Sequence, residues 1–317
     1  MERATTAVAS PGAPGLAPRR SLMARPETRA GWLLLTPALA ILAALTIAPA
    51  VYLVYSSFFD FQLLGGPKRY VGLGNYRDAF TDPLIRQGLF KILLFVGVVV
   101  VLEVVIGLAL AVPLAARTMG NSVASTLLLL PFAITPAVSA LVWRQLLDPN
   151  FGWVDYYAQQ LGIMGAPVQW LSSPTTAWIS IIALDVWQWT PFVALVLMAG
   201  LQGVPREPME AASVDGASAW QTFVHVKLPL LIPFLTIAVL LRMVDAFKTF
   251  ATIKVLTDGG PGDSTEIVNL TIYRVALQDF SIGAAAALGV AFLIMLSVIV
   301  PVVIKLMTRK SDFGEQF

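Results

Sequence analysis

Six long apolar blocks, separated by charged or Pro/Gly-rich segments, constrain the fold of this chain more than any other feature of its sequence. A helix needs about 20 apolar residues to cross roughly 30 Å of hydrocarbon, and each block is at least that long. No alternating strand pattern of the β-barrel kind occurs, so backbone polar groups must be satisfied within helices. The sequence predicts an all-α integral membrane protein with six transmembrane helices. The blocks run from Trp32 to Phe58, Leu89 to Ala115, Leu127 to Leu147, Trp178 to Gly200, Leu230 to Phe250 and Ala284 to Leu306.

The composition also indicates a lipid environment. Hydrophobic residues make up 57% of the 317 residues, charged residues only 13%, and the mean hydropathy is +0.77, which soluble domains do not show. We therefore expect membrane lipid as a partner. The net charge of +2 is too small to indicate a nucleic-acid partner. Because the chain has no cysteine and no convincing nucleophile or ligand cluster, we expect no catalytic residue and no bound metal.

The distribution of basic residues predicts the orientation of the chain. Six spans place both termini on one side, and basic residues beside the first and last spans assign that side to the cytoplasm. Residues 1–28 contain too few large apolar side chains to fold. We expect a disordered cytoplasmic tail at 1–28, a six-helix transmembrane domain at 29–310 and a cytoplasmic C-terminal tail at 311–317. The basic residues are Arg19, Arg20, Arg25, Arg29, Lys305, Arg309 and Lys310.

The loop at 204–228, between the fourth and fifth blocks, is long and patterned. Pro205 and Pro208 suit the start of a short helix. Asp215-Gly216 supplies a helix end at which glycine adopts positive φ, and Ser218 to Gln221 has the spacing of a capping box that opens a second helix. The pattern predicts two short helices joined at a turn, a docking element on the cytoplasmic face.

The spacing within this loop carries a family resemblance. Glu210-Ala211-Ala212, then Gly216, then Val226 and Leu228-Pro229 match the loop of membrane subunits of binding-protein-dependent ABC importers. The departure is Val226, where that family usually has isoleucine. The resemblance implies a coupling helix that sits in a cleft of an ATPase subunit. It implies coupling roles for Glu210, Ala211, Ala212, Asp215, Gly216 and Ala217.

A second stretch is similar to sugar-importing permeases of the maltose and glycerol-phosphate type. The residues are Asp245 to Phe250, Leu256 to Gly262 and Ile272-Tyr273-Arg274. This resemblance implies half of a translocation pathway for a sugar, polyol or related glycoside, in the cytoplasmic membrane of a bacterium or archaeon. The implied partners are a second homologous permease, an ATPase dimer and an extracytoplasmic solute-binding protein. Since the chain has no Gly-x-x-x-x-Gly-Lys-Ser/Thr phosphate loop, ATP and Mg belong on the partner ATPase, and we expect no cofactor on this chain.

Ionisable residues within apolar spans are the candidate solute ligands, because their burial in lipid is costly. Two helical stripes stand out: Asp185, Trp189 and Phe192 in the fourth block, and Arg242, Asp245 and Thr249 in the fifth. Carboxylate, guanidinium and hydroxyl groups bond sugar hydroxyls, while aromatic faces pack on sugar rings. The predicted solute-binding residues are Asp185, Trp189, Phe192, Arg242, Asp245, Ala246 and Thr249.

Other interpretations of these residues stay open at this point. Arg242 and Asp245 could form an internal ion pair, Trp189 could simply pack, and Glu103 more plausibly faces another helix or a partner subunit. The chain could instead be an ion-gradient-driven carrier or channel, with Asp185 or Asp245 titrating, although no inverted repeat is evident. An ABC permease for amino acids or peptides would share the coupling loop.

Overall fold

The computed structural model describes residues 26–116 and 118–308, and only the backbone of residues 26–30 and 308. Within these ranges the chain is almost entirely helical, with one short two-stranded antiparallel ribbon. The helices are α1 Pro26–Ser57, α2 Gly74–Thr81, α3 Pro83–Leu114, α4 Met119–Leu128, α5 Pro136–Leu146, α6 Trp153–Gln160, α7 Pro174–Gly203, α8 Glu207–Val214, α9 Ala219–Thr222, α10 Leu228–Ala246, α11 Ala251–Leu256, α12 Val268–Leu277 and α13 Ile282–Thr308. The strands are β1 Phe59–Asp60 and β2 Arg69–Tyr70; a 3₁₀ turn spans Pro131–Ala133 and a π turn spans Phe223–Lys227.

Five helices in the described ranges are long and apolar enough to cross a membrane, and a sixth span requires a broken helix pair. The pair consists of Met119–Ala133 and Pro136–Leu146, bent by 93°. The prediction of one helix from Leu127 to Leu147 is therefore wrong in detail. Pro131 and Pro136 have no N–H to donate to the preceding turn, and each begins a new helical segment after a break.

The chain divides into two compact units, Met1–Tyr52 and Leu53–Phe317. In the second unit, α7 packs against α3 and α10, and the core between them consists of close-packed aliphatic and aromatic side chains. Its fully buried members include Ile92, Phe95, Ile181 and Leu184. The predicted tail at 1–28 lies outside the described residues except for 26–28, which begin α1, and the predicted tail at 311–317 lies wholly outside them.

The fifth span differs from its predicted bounds at both ends. Helical structure is continuous from Ala219 to Ala246, because the π turn at Phe223–Lys227 carries the helix through to Pro229 without an interruption. The helix then ends at Ala246, before the predicted end at Phe250, and α11 starts at Ala251. One helix, about 40 Å long at 1.5 Å per residue, therefore joins the loop at 204–228 to the centre of the second unit.

Gly200 allows α7 and α10 to approach closely, and we expect Gly200→Ala to destabilise the protein by about 1–3 kcal/mol. A Cβ atom at this position would lie 2.6 Å from Cγ of Phe234 and 2.7 Å from Cδ1 of Leu231. Rotation of the Phe234 side chain cannot move Cγ far from the new methyl group, because Cγ is bonded directly to Cβ. The helices α7 and α10 must therefore separate. The thermal midpoint of the purified protein in detergent measures the effect.

The matched control is Gly97→Ala on α3, where a Cβ atom meets nothing within 4 Å. Both substitutions raise helix propensity equally. The control should leave the midpoint unchanged or raise it, and equal midpoints for the two variants would contradict the close-packing argument.

Candidate functional site

A cavity of about 200 Å³ lies among α5, α7, α10 and α11 in the second unit. Six of the seven predicted solute-binding residues line it. The other five lining residues, between the end of α10 and the start of α11 and at the start of α5, were not among the predicted solute-binding residues. The full lining is Pro136, Asp185, Trp189, Arg242, Asp245, Ala246, Lys248, Thr249, Phe250, Ala251 and Thr252.

Arg242 is the centre of a charge cluster beside this cavity. Its side chain is 1% exposed, and three carboxyl groups surround it. Its Nε lies 2.7 Å from Oε2 of Glu103, an ionic contact without hydrogen-bond alignment. Its Nη2 donates to Oδ2 of Asp185, and its Nη1 lies 3.4 Å from Oδ2 of Asp245. The cluster thus ties α3, α7 and α10 together at one point.

The cluster members differ in their access to the cavity. Glu103 is fully buried and does not line it, whereas the Asp245 side chain is 39% exposed. The ring of Trp189 lies with its centroid 4.7 Å from Cζ of Arg242, a cation–π contact. Trp189 is itself half-buried, so part of its indole faces the cavity.

The ion pair that the sequence left open between Arg242 and Asp245 is present, but it is the longest of three. Glu103 faces another helix, as anticipated, and its partner is Arg242. Glu103 and Arg242 both lie within apolar spans, and an intramembrane charge needs a counter-charge. This shared position is the sequence signal that could have predicted their pairing. Sequence spacing could not show which spans are neighbours.

Two of the predicted solute-binding residues do not lie where the helical stripes place them. Thr249 lines the cavity from the turn that follows α10, beyond the helical face of Arg242 and Asp245. Phe192 does not line the cavity and stacks on Phe132, with ring centroids 5.5 Å apart. The helical wheel failed at both residues because α10 ends early and the broken α4–α5 pair inserts Phe132 against α7.

The loop between α7 and α10 has the predicted local structure. Helix α8 ends at Val214 with Asp215 at its C-cap, and Gly216 has φ +76°. Ser218 and Gln221 form the predicted capping box, with the Ser218 N–H donating to Oε1 of Gln221 at 2.8 Å and the Gln221 N–H donating to Oγ of Ser218 at 3.3 Å. Of the six predicted coupling residues, Glu210, Ala211, Asp215 and Gly216 are exposed and Ala212 and Ala217 are partly buried.

The loop at 257–267 connects α11 to α12 and is held by several polar contacts. Trp178 on α7 donates to the Ser264 carbonyl at 3.0 Å, and Arg274 pairs with Glu266 at 2.9 Å. Burial raises the pKa of Glu266, opposed by the charge of Arg274. A hydrogen bond from Lys254 lowers the pKa of the exposed Asp258. Lys254 on α11 and Arg274 on α12 thus hold the turn that begins at Asp258.

Comparisons with known proteins support the same architecture. The family described as "Binding-protein-dependent transport system inner membrane component" matches residues 93–312. The trehalose/maltose transport system permease protein MalF of Thermococcus litoralis is 35% identical over 272 residues, covering 86% of this chain and 91% of that protein. The trehalose transport system permease protein SugA of Mycobacterium tuberculosis is 32% identical over 290 residues, covering 91% and 92%.

A solved structure shares the fold. It is a bacterial alginate ABC transporter in complex with an alginate pentasaccharide-bound periplasmic protein, with a TM-score of 0.74, 20% identity, and coverage of 92% of this chain and 97% of that one. The family match spans more than half of the chain, and the described residues contain five helices long and apolar enough to cross a membrane, or six if the bent pair is one span. The chain therefore belongs to the family of inner membrane components of binding-protein-dependent transport systems, and it is a multi-pass permease subunit of an ABC importer.

Proposed function

We propose that this chain forms half of the translocation pathway of an importer for a sugar, polyol or related glycoside. The observation that carries the proposal is the cavity at Asp185, Trp189, Arg242 and Asp245, which combines an aromatic face with carboxylate and hydroxyl groups. Sugars are recognised by such linings, because hydroxyls pair with polar groups while the C–H face of the ring packs on an indole. Relatives named for trehalose, maltose and sulfoquinovosyl glycerol transport support this solute class.

The coupling role of α8 is part of the same proposal. This short helix has no buried residue, and Val214 at its end is 87% exposed. Such an exposed helix with small residues is suited to a cleft on an ATPase subunit, which would bind ATP and Mg. The partners would be an ATPase dimer, a second homologous permease and an extracytoplasmic solute-binding protein. Both termini would then be cytoplasmic, on the same side as α8.

The continuous helix from Ala219 to Ala246 offers a direct mechanical connection. Its first turns follow the α8 docking element, and its last turns carry Arg242 and Asp245 beside the cavity. A displacement of α8 by a closing ATPase would be carried along this helix, because its turns are continuous through the π turn at Phe223–Lys227. The cavity would be exposed alternately to the two sides as nucleotide biases the helix arrangement.

We expect Trp189→Ala to raise the solute concentration for half-maximal ATPase stimulation about tenfold, corresponding to about 1.4 kcal/mol. The substitution removes the aromatic face from the cavity. The measurement uses the complete complex in nanodiscs, with trehalose and maltose as probes.

The control is Trp187→Ala on another face of α7. Trp187 is 40% exposed, packs on Trp143 with ring centroids 5.8 Å apart, and does not line the cavity. Equal effects of the two substitutions would count against sugar binding at Trp189. Transport by the purified chain without an ATPase would favour an ion-driven carrier, and stimulation by amino acids alone would favour the amino-acid alternative.

A further inference from the structure

A buried guanidinium such as that of Arg242 would suit an anionic solute, yet each of its three nitrogens already faces a carboxyl group. Nε faces Glu103, Nη2 donates to Asp185, and Nη1 faces Asp245. Trp189 lies against one face of the guanidinium plane. A guanidinium that binds a phosphate or carboxylate must offer two parallel N–H donors, and here each side of the fork already has a carboxyl partner.

The groups left for a solute are therefore those around Arg242. The half-exposed Asp245 carboxylate accepts hydrogen bonds, and the exposed Lys248 ammonium donates them. Among the described residues no carboxylate lies within ion-pair distance of Lys248. The threonine hydroxyls at 249 and 252 both accept and donate. Such a mixed set of acceptors and donors is complementary to hydroxyl groups, which do both.

The charges exposed in the cavity give an anion no net attraction. The exposed charged side chains are one carboxylate, Asp245, and one ammonium, Lys248, while Glu103 and Asp185 are buried against Arg242. An anionic solute would gain attraction from Lys248 but would also be repelled by Asp245, which lines the same cavity. Repulsion of this kind is strong where water is scarce.

From the saturation of Arg242 by three carboxyl groups we infer that the cavity selects uncharged polyhydroxyl solutes and rejects their anionic derivatives. The inference rests on the proposed function, since it names the solute class of the same cavity. Glu103 never lines the cavity, yet it contributes to this selection by occupying the Nε edge of Arg242.

The experiment compares matched neutral and anionic probes on the assembled complex in nanodiscs without its solute-binding protein, so that only the permeases discriminate. The pairs are trehalose with trehalose 6-phosphate and maltose with maltose 6′-phosphate, titrated by saturation-transfer NMR. The wild type should bind each neutral sugar at least tenfold more tightly than its phosphate, a difference of about 1.4 kcal/mol. Asp245→Asn should lower the ratio of neutral-sugar affinity to sugar-phosphate affinity about tenfold, and Lys248→Gln should raise this ratio.

The matched control is Asp279→Asn. Asp279 is exposed and does not line the cavity, so the substitution removes the same charge elsewhere. It should leave the ratio unchanged. Binding of sugar and phosphate at equal affinity by the wild type, or an unchanged ratio in Asp245→Asn, would overturn the charge selection alone. Failure of both neutral sugars to bind would overturn the proposed solute class and this inference with it.

Discussion

Gly216→Asp should abolish solute-stimulated ATP hydrolysis by the assembled complex while leaving membrane insertion intact. Gly216 has φ +76°, a backbone conformation that glycine adopts freely and that other residues adopt at a cost. Aspartate would also add a negative charge beside Asp215, on the face that would enter the ATPase cleft. Like charges brought together at an interface cost several kcal/mol, so we expect stimulation to fall by more than tenfold. The measurement is ATPase activity of the reconstituted complex with and without solute-loaded binding protein.

The control for this experiment is Gly120→Ala on α4, where a Cβ atom meets nothing within 4 Å. Its stimulation should equal that of the wild type. A second variant, Gly216→Asn, separates charge from backbone strain, because asparagine tolerates positive φ better than most residues. Full stimulation of Gly216→Asp would remove the coupling role from this loop, and an equal loss in both Gly216 variants would assign the effect to the turn rather than to the charge.

Arg242→Met should destabilise the protein more than any other single substitution considered above. It would leave the carboxyl groups of Glu103 and Asp185 buried together without a cation. Breaking a buried ion pair by removing one partner costs about 3–5 kcal/mol. We expect a lower thermal midpoint in detergent and a lower yield of assembled complex, measured by light scattering on heating and by size-exclusion chromatography.

A triple variant tests whether unpaired buried charge causes the loss of stability in Arg242→Met. Arg242→Met combined with Glu103→Gln and Asp185→Asn replaces every strongly buried charge of the cluster and should recover much of the lost stability. The control for the loss of an arginine as such is Arg86→Met, because Arg86 is exposed near the start of α3. This substitution should leave the thermal midpoint unchanged. If the triple variant were as unstable as Arg242→Met, the loss would come from packing of the long side chain and not from unpaired charge.

The coupling-type loop shows how far sequence reasoning reaches when the information is local. Its turn at Gly216 and its capping box at Ser218 and Gln221 depend on residues within a few positions of each other. Both were predictable from residue type and spacing. The continuation of the second helix through Pro229 was not, because the π turn at Phe223–Lys227 is a backbone adjustment with no signature in the residue pattern.

The solute cavity shows the opposite limit. The sequence placed Asp185 and Asp245 on separate helices and could only list Glu103 as a lone charge. The structure brings Glu103, Asp185 and Arg242 into contact across three helices. Thr249 lines the cavity from a position that the helical wheel did not predict, since α10 ends at Ala246 and the chain continues as a turn.

The sequence by itself determined that this chain is a helical membrane protein with a two-helix loop before its fifth span, because hydrophobic length and capping are local properties of the chain. Only the tertiary structure decided what Arg242 does. A charged side chain within an apolar span must find partners, and which partners it finds depends on which helices pack together. Helix neighbours are set by the whole core, so the same arginine that the sequence offered as a solute ligand faces Glu103, Asp185 and Asp245.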